Sequence, residues 1–321
     1  MEMILHRLEL LPGEHLGAVV GRMHVLSTHG TFTATAQVLG LSSPQIRPHR
    51  LCHPDDPVLD TQFRARHVQR AWQDHSVGNY LASFLTPDEQ RIVASALAGR
   101  SQLRLRVTGL HNVQHQYWRW CADCIAEDYE LHGMPYYHRD HQLPGVFHCY
   151  RHQCGLSGHC AGCGFSAKLL SEQLIPPYEG LCPHCGHWMG GYDGHFSERM
   201  KEIELASLAL AQSASALTLC ALTQLVTDSM GISGEEMRTV KSIKTINAWF
   251  QQMDSQCDPL ALTAYFTNSG GPGQVWQLPP QLRNARGYHE KSARDPLHPL
   301  AHLMMLQHAG VDLVGLLGSE G

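Results

Sequence analysis

The sequence contains no run of 18 or more apolar residues, so no membrane-spanning helix is expected from it. Its first residues, Met1 to Arg7, are too few and too polar to read as a secretory signal. These features make a reducing, cytoplasmic setting the expectation. A basic excess is also missing: 24 Lys+Arg stand against 29 Asp+Glu, a formal net charge of -5. A chain that gripped DNA along its whole length would need surplus positive charge, because phosphate contacts dominate such affinity. There is no Gly-x4-Gly-Lys-Ser/Thr loop to cradle phosphates and no Gly-x-Ser-x-Gly elbow to present a nucleophile. Charged residues are sparse at 17% while 43% are hydrophobic, which gives enough apolar mass for packed domains and excludes a disordered chain.

What the chain has in excess is metal-ligand chemistry, with 11 Cys and 23 His. Eight of the cysteines fall between Cys121 and Cys185, and clustered thiols in a reducing compartment point to metal rather than disulfides. Four doublets carry the pattern: Cys121-x2-Cys124, Cys149-x2-His152, Cys160-x2-Cys163 and Cys182-x2-Cys185. Two ligands separated by two residues in a tight turn supply half of a tetrahedral site, so four doublets predict two zinc ions. In chain order the first site is Cys121, Cys124, Cys149 and His152, and the second is Cys160, Cys163, Cys182 and Cys185. An interleaved pairing would use the same residues, and Cys154 could stand in for His152. Sites closed by four protein ligands fold a chain rather than catalyse, since no position is left for water or substrate. The remaining histidines are mostly solitary and read as surface or satisfied side chains.

Composition divides the chain into three. Residues 1–117 hold 11 basic and 9 acidic side chains, residues 119–196 hold 4 and 8, and residues 197–321 hold 9 and 12. The predicted architecture is mainly α: an N-terminal helical domain (1–117), a double zinc-binding knuckle or ribbon module (118–195) and a C-terminal helical domain (196–321). Apolar positions Leu16, Val19, Val20, Met23 and Leu26 form one helical stripe, and Ala34 to Leu39 continues as a second helix. Further helices are expected over residues 62–72, 77–84 and 87–97, the last opened by a capping box of Thr86 and Glu89. The middle third, poor in helical pattern, reads as loops and hairpins. Helices return over 198–228 (broken near 213–215), 235–253, 259–267, 297–309 and 313–317. Gly270 to Gly273 and Pro279-Pro280 interrupt them.

Ala36-x3-Gly40-x5-Ile46 has the spacing of a helix-turn-helix, with Ser42 capping a second helix that Pro48 would end near Arg47. Arg47, His49 and Arg50 are the candidate nucleic-acid contacts, although so short a helix reaches little of a groove. Asp140-His141-x2-Pro144, set between Cys doublets, has the form of an HNH nuclease opening. That chemistry also needs a downstream Asn, and none occurs between Pro144 and Cys182.

Taken with their flanks, these motifs resemble the TniQ family of transposon target-selection proteins. Leu11-Pro-Gly-Glu14-His15-Leu16 with Arg22 is similar to the family's P-x-E-S-L opening and its helical Arg. Trp120-Cys121-x2-Cys124 to Asp128, and His138-Arg139-x2-Gln142-Leu143-Pro144 followed by Cys149-x2-His152, resemble its central motifs. Cys160-x2-Cys163-Gly164 and Cys182-x2-Cys185-Gly186 match its paired knuckles. The chain departs from the family pattern at His15, where Ser is usual, at His141, where Trp is common, and in lacking Pro after Cys121, Cys149 and Cys160. The resemblance implies a non-enzymatic adaptor, often a homodimer, that recruits the AAA+ ATPase TnsC and so the transposase. Members either read a DNA site directly, as TnsD-like proteins do, or sit on an RNA-guided Cascade protein–crRNA complex. The acidic balance and truncated candidate recognition helix favour the second mode.

Overall fold

The structure is a computed structural model; it describes residues 9–41, 44–49, 68–97, 116–212, 219–232, 240–266 and 298–318. Among the described residues the chain is helical, with isolated bridges in place of strands. Contacts divide it into two units. The first contains residues 1–78, 94–103 and 116–193, the second residues 79–93, 104–115 and 194–321.

In the first unit α1 (Val19–Leu26) packs on α2 (Phe32–Val38), whose start is capped by Thr31 accepting from the Ala34 N–H. Val19, Val20 and Met23 of α1 and Ala36 of α2 share one core with Trp118, Trp120, Ile125, Tyr137, Cys160, Leu170, Cys182 and Met189. The N-terminal helices and the cysteine-rich segment thus bury the same apolar surface. Gly21 permits this closeness, since a Cβ there would lie 2.2 Å from the Leu174 carbonyl oxygen.

The segment before α1 is fixed by charge. Glu14, fully buried, accepts from Arg22 Nε and Nη2, each at 2.8 Å, and from the Leu11 N–H at 3.0 Å. Arg22 also donates to the Glu9 carbonyl at 2.6 Å. Backbone bonds then run from His15 N to Tyr137 O, from Leu16 N to His75 O and from Arg139 N to Gly13 O. His15 accepts through Nδ1 from the Gly17 N–H at 3.1 Å.

The helix expected after Ser42 is not formed: residues 44–49 are described and non-helical. Pro44 and Pro48 bracket the segment, Pro48 disfavours helix at Arg47, and the fully buried Ile46 gives its carbonyl to the Leu170 N–H at 2.9 Å. Elsewhere the helices follow the pattern. Gly78–Ala82 and Pro87–Leu97 fall on the expected segments, while Val68–His75 shares 68–72 with the expected 62–72, runs on to His75, and leaves 62–67 outside the described residues. Thr86 and Glu89 form the reciprocal capping box, with Thr86 N to Glu89 Oε2 at 2.8 Å and Glu89 N to Thr86 Oγ1 at 3.3 Å.

The second unit is built on Glu198–Gln212, Leu219–Ser229, Val240–Gln256, Pro259–Tyr265, Pro299–His308 and Leu313–Gly318. Its helix Pro299–His308 packs on Glu198–Gln212 and Leu219–Ser229 through Leu300, Leu303 and Leu306, all fully buried. Asp258 and His298 cap the helices that follow them, each with Pro at the first turn. The expected break near 213–215 and the Gly/Pro stretch at 270–280 lie outside the described residues. No described helix is long and apolar enough to cross a membrane.

Candidate metal centre

The local folds of the four doublets are of two kinds. Cys149, Cys160 and Cys182 each open the same knuckle. The Cys N–H bonds to the carbonyl five residues on (Cys154, Phe165, His187), and the residue four on donates back to the Cys carbonyl. That fourth residue turns left-handed in every case: Gln153 (φ 56°), Gly164 (φ 76°) and Gly186 (φ 70°). The turn brings the two doublet side chains to one side, and glycine at two of the three positions relieves the Cβ clash. Cys121 and Cys124 instead start a helix, Ala122–His132, which the sequence pattern did not disclose. Cys121 is its N-cap, and its Sγ accepts from the Cys124 N–H at 3.4 Å.

The first cluster gathers Cys121, Cys124, Cys149 and His152, with all ligand atoms within 4.8 Å of one another. His152 Nδ1 lies 3.3 Å from Cys121 Sγ, 3.4 Å from Cys124 Sγ and 3.6 Å from Cys149 Sγ; Cys124 and Cys149 are 3.6 Å apart. A tetrahedral zinc with ordinary bond lengths sets sulfur–sulfur edges near ~3.8 Å and sulfur–nitrogen edges near ~3.5 Å. The residues therefore fit the ion. Cys154 approaches Cys121 at 3.2 Å, and its ligand atom groups with Cys121 and Asp123 rather than with the other two thiols and the imidazole. The geometry thus sets His152, not Cys154, with the three thiols of this cluster. Hydrogen bonds from Cys121 and Cys124 hold the Cys149 thiol below its usual range, and the same contacts push Cys121 and Cys124 up, so the three sulfurs share one negative charge between them before any ion is bound.

The second cluster brings Cys160, Cys163, Cys182 and Cys185 together on the same criterion, with Cys160 to Cys185 and Cys163 to Cys182 both at 3.6 Å. Desolvation raises the Cys160 thiol, but the Cys163 N–H and the Cys185 thiol outweigh it and bring it to about 6. Cys160 and Cys182 are buried, and Cys163 and Cys185 exposed. Both clusters pair doublets in chain order, so the interleaved alternative is not the one assembled.

Two supporting residues, Glu127 and Arg119, escaped the sequence reading. Glu127 accepts from His152 Nε2–H at 2.9 Å and also pairs with Arg151, which fixes the imidazole with Nδ1 toward the thiols. That hydrogen bond also draws the Glu127 carboxyl below its usual range. It lies six residues after Cys121, and only the helix puts it there. Asp128 pairs with His138 at 2.9 Å, joining the two central motifs. Gln142 exchanges bonds with the Arg119 backbone at 3.1 and 2.8 Å, and Arg119 donates to the carbonyls of Leu143 and Val146.

The other sequence candidates are not brought into a site. Asp140 is paired with Arg139, His141 is 2% exposed, and neither belongs to a described cluster able to hold a metal. Arg47 is exposed, His49 is buried and Arg50 lies outside the described residues, so a shared phosphate contact is not assembled by the described pair.

Among curated proteins none matches the chain. The sequence model of the TniQ family matches residues 5–156. That span contains the Glu14–Arg22 clamp, the Asp128–His138 pair and the whole first cluster, while the second cluster lies beyond it. On this match, and on the motifs that the geometry ties together within it, residues 5–156 of the chain are similar to the TniQ family.

Proposed function

We propose that this chain is a non-enzymatic adaptor for target-site selection in DNA transposition. In this reading it links an RNA-guided Cascade protein–crRNA complex to the AAA+ ATPase TnsC, and through it to the transposase. The observation that carries the reading is the TniQ match over residues 5–156. Each doublet cluster is closed by four protein ligands, which suits a structural ion and not a reacting one. We assign zinc to both clusters on ligand chemistry, since thiolate and imidazole donors in this number favour it over harder cations. The ligands proposed are Cys121, Cys124, Cys149 and His152 for one ion, and Cys160, Cys163, Cys182 and Cys185 for the other. Zinc would then hold a module over residues 118–195 between helical modules at 1–117 and 196–321 in a cytoplasmic homodimer.

The RNA-guided mode is supported over direct reading of DNA by three observations. The net charge is -5. Residues 44–49 form no recognition helix. Of the basic trio, Arg47 is the described member that faces solvent. A pull-down of TnsC by the purified chain, run with and without the guide-RNA complex, tests this. Capture that requires the complex is the expected result. Tight, sequence-specific binding to naked duplex at physiological salt would instead assign the TnsD-like mode. Elemental analysis is expected to find two zinc ions per chain, and substantially fewer would remove the structural-ion reading.

A further inference from the structure

The cysteine-rich segment carries an aromatic surface that neither the metal clusters nor the core uses. Tyr129, on the helix Ala122–His132, is 47% exposed and packs against Tyr178, 58% exposed, with ring centroids 4.5 Å apart. Tyr178 and Glu179 form the corner of a turn closed by the Gly180 N–H bonding to the Pro177 carbonyl at 2.9 Å. Trp188, 55% exposed, lies against that same turn: a Cβ on Gly180 would fall 2.4 Å from the indole. Met189, fully buried, donates its N–H to the Gly180 carbonyl beside the isolated bridge of Leu181 and Trp188. Three aromatic faces are therefore held rigid and open to solvent around one turn.

The charge beside them has one sign. Glu130 follows Tyr129, Glu179 follows Tyr178, and both are exposed. Of the basic residues of 119–196, Arg119 and Arg139 are buried and Arg151 is taken by Glu127, which leaves Lys168, ten residues before Tyr178 in the sequence, against the two carboxylates. Aromatic faces flanked by carboxylates attract a delocalised cation, through the ring quadrupole and through ion pairing together. They repel phosphates.

We infer that the surface formed by Tyr129, Tyr178 and Trp188, with Glu130 and Glu179 beside it, binds an arginine-bearing segment of a partner protein. It stands apart from the transposition reading, because peptide binding can succeed or fail without any transposition component.

The test uses the full chain and three labelled probes at about 150 mM salt: a peptide of alternating Arg and Gly, its Lys counterpart, and a single-stranded RNA of similar length. The Arg peptide is expected to bind more tightly than the Lys peptide. Trp188→Leu keeps apolar bulk and removes the aromatic face. It and Tyr178→Ala are each expected to weaken binding roughly three- to tenfold. Glu179→Lys is expected to weaken it too, while Leu260→Ala, an exposed change in the other unit, leaves it unchanged. These aromatic and acidic side chains are largely exposed, so melting curves of the variants should overlay the parent. Equal affinity across all variants would overturn the proposal. So would RNA binding that Trp188→Leu abolishes, or a self-association that Trp188→Leu breaks while peptide binding is unaltered.

Discussion

Removing Arg22 would strand the Glu14 carboxylate, which has no access to water and loses two 2.8 Å bonds at once. Breaking a buried pair from one side leaves an uncompensated charge, so Arg22→Met is expected to lower stability by about 3–5 kcal/mol in chemical denaturation. The double variant Glu14→Leu with Arg22→Met removes both charges and is expected to recover part of that loss. A double variant as unstable as Arg22→Met would show that packing, not the stranded charge, sets the cost. A smaller effect is expected at Gln153, whose φ of 56° is the left-handed turn that glycine supplies in the two sister knuckles. Gln153→Gly relieves that strain but frees the unfolded chain, so a change between zero and about +1 kcal/mol should appear in the melting curve. Gly164→Val puts a branched side chain at φ 76° and is expected to cost about 2 kcal/mol or more. The positions of these residues were legible in the sequence, since the doublet spacing marks the knuckles and the resemblance marks Glu14 and Arg22. That Glu14 and Arg22 meet was not, because nothing local pairs two residues eight apart across a turn that is not helical.

At the scale of elements, the helix Ala122–His132 shows why pattern reading fell short in the middle of the chain. Its buried side is only Cys124, Ile125 and Asp128, too thin a stripe to read as an amphipathic helix. Its cap is a sulfur, outside the usual Ser, Thr, Asp and Asn set. The reverse error occurred after α2, where spacing alone suggested a helix that Pro44 and Pro48 deny. By contrast, the helix Pro87–Leu97 carried its own start signal in Thr86 and Glu89 and was legible to the residue. Because Cys121 serves both the cluster and the helix start, losing the metal there should cost secondary structure. Cys121→Ser is expected to drop bound zinc from two equivalents to one by elemental analysis and to reduce helical circular dichroism. Cys154→Ser is expected to keep two equivalents, because His152, not Cys154, faces all three thiols of the first cluster. Two equivalents in Cys121→Ser would mean that Cys154 had taken over as a ligand.

At the scale of the whole molecule, the cysteine-rich unit is organised around its two clusters, whereas the second unit is organised around a buried apolar face that includes histidine. His302 sits in that face at 2% exposure with its ring 4.9 Å from Phe84, and desolvation lowers its pKa to about 3. An unfolded histidine titrates near 6.5, so above that pH both states are neutral and the residue contributes nothing to pH dependence. Between about 6.5 and about 3 the unfolded chain binds a proton that the folded chain refuses. Stability therefore falls as pH falls, by about 1.4 kcal/mol for each unit well below the unfolded value. His302→Leu should abolish this contribution. The stability difference between variant and parent is expected to move in the variant's favour by roughly 2 kcal/mol between pH 7 and pH 5. Hydrogen exchange within Pro299–His308 reads it at the helix concerned. Acid also weakens thiolate sites, but that loss is common to both proteins and cancels in the difference. A difference that stays flat from pH 7 to pH 5 would mean that the His302 ring meets water in solution, and that the face around Phe84 opens more readily than its packing implies.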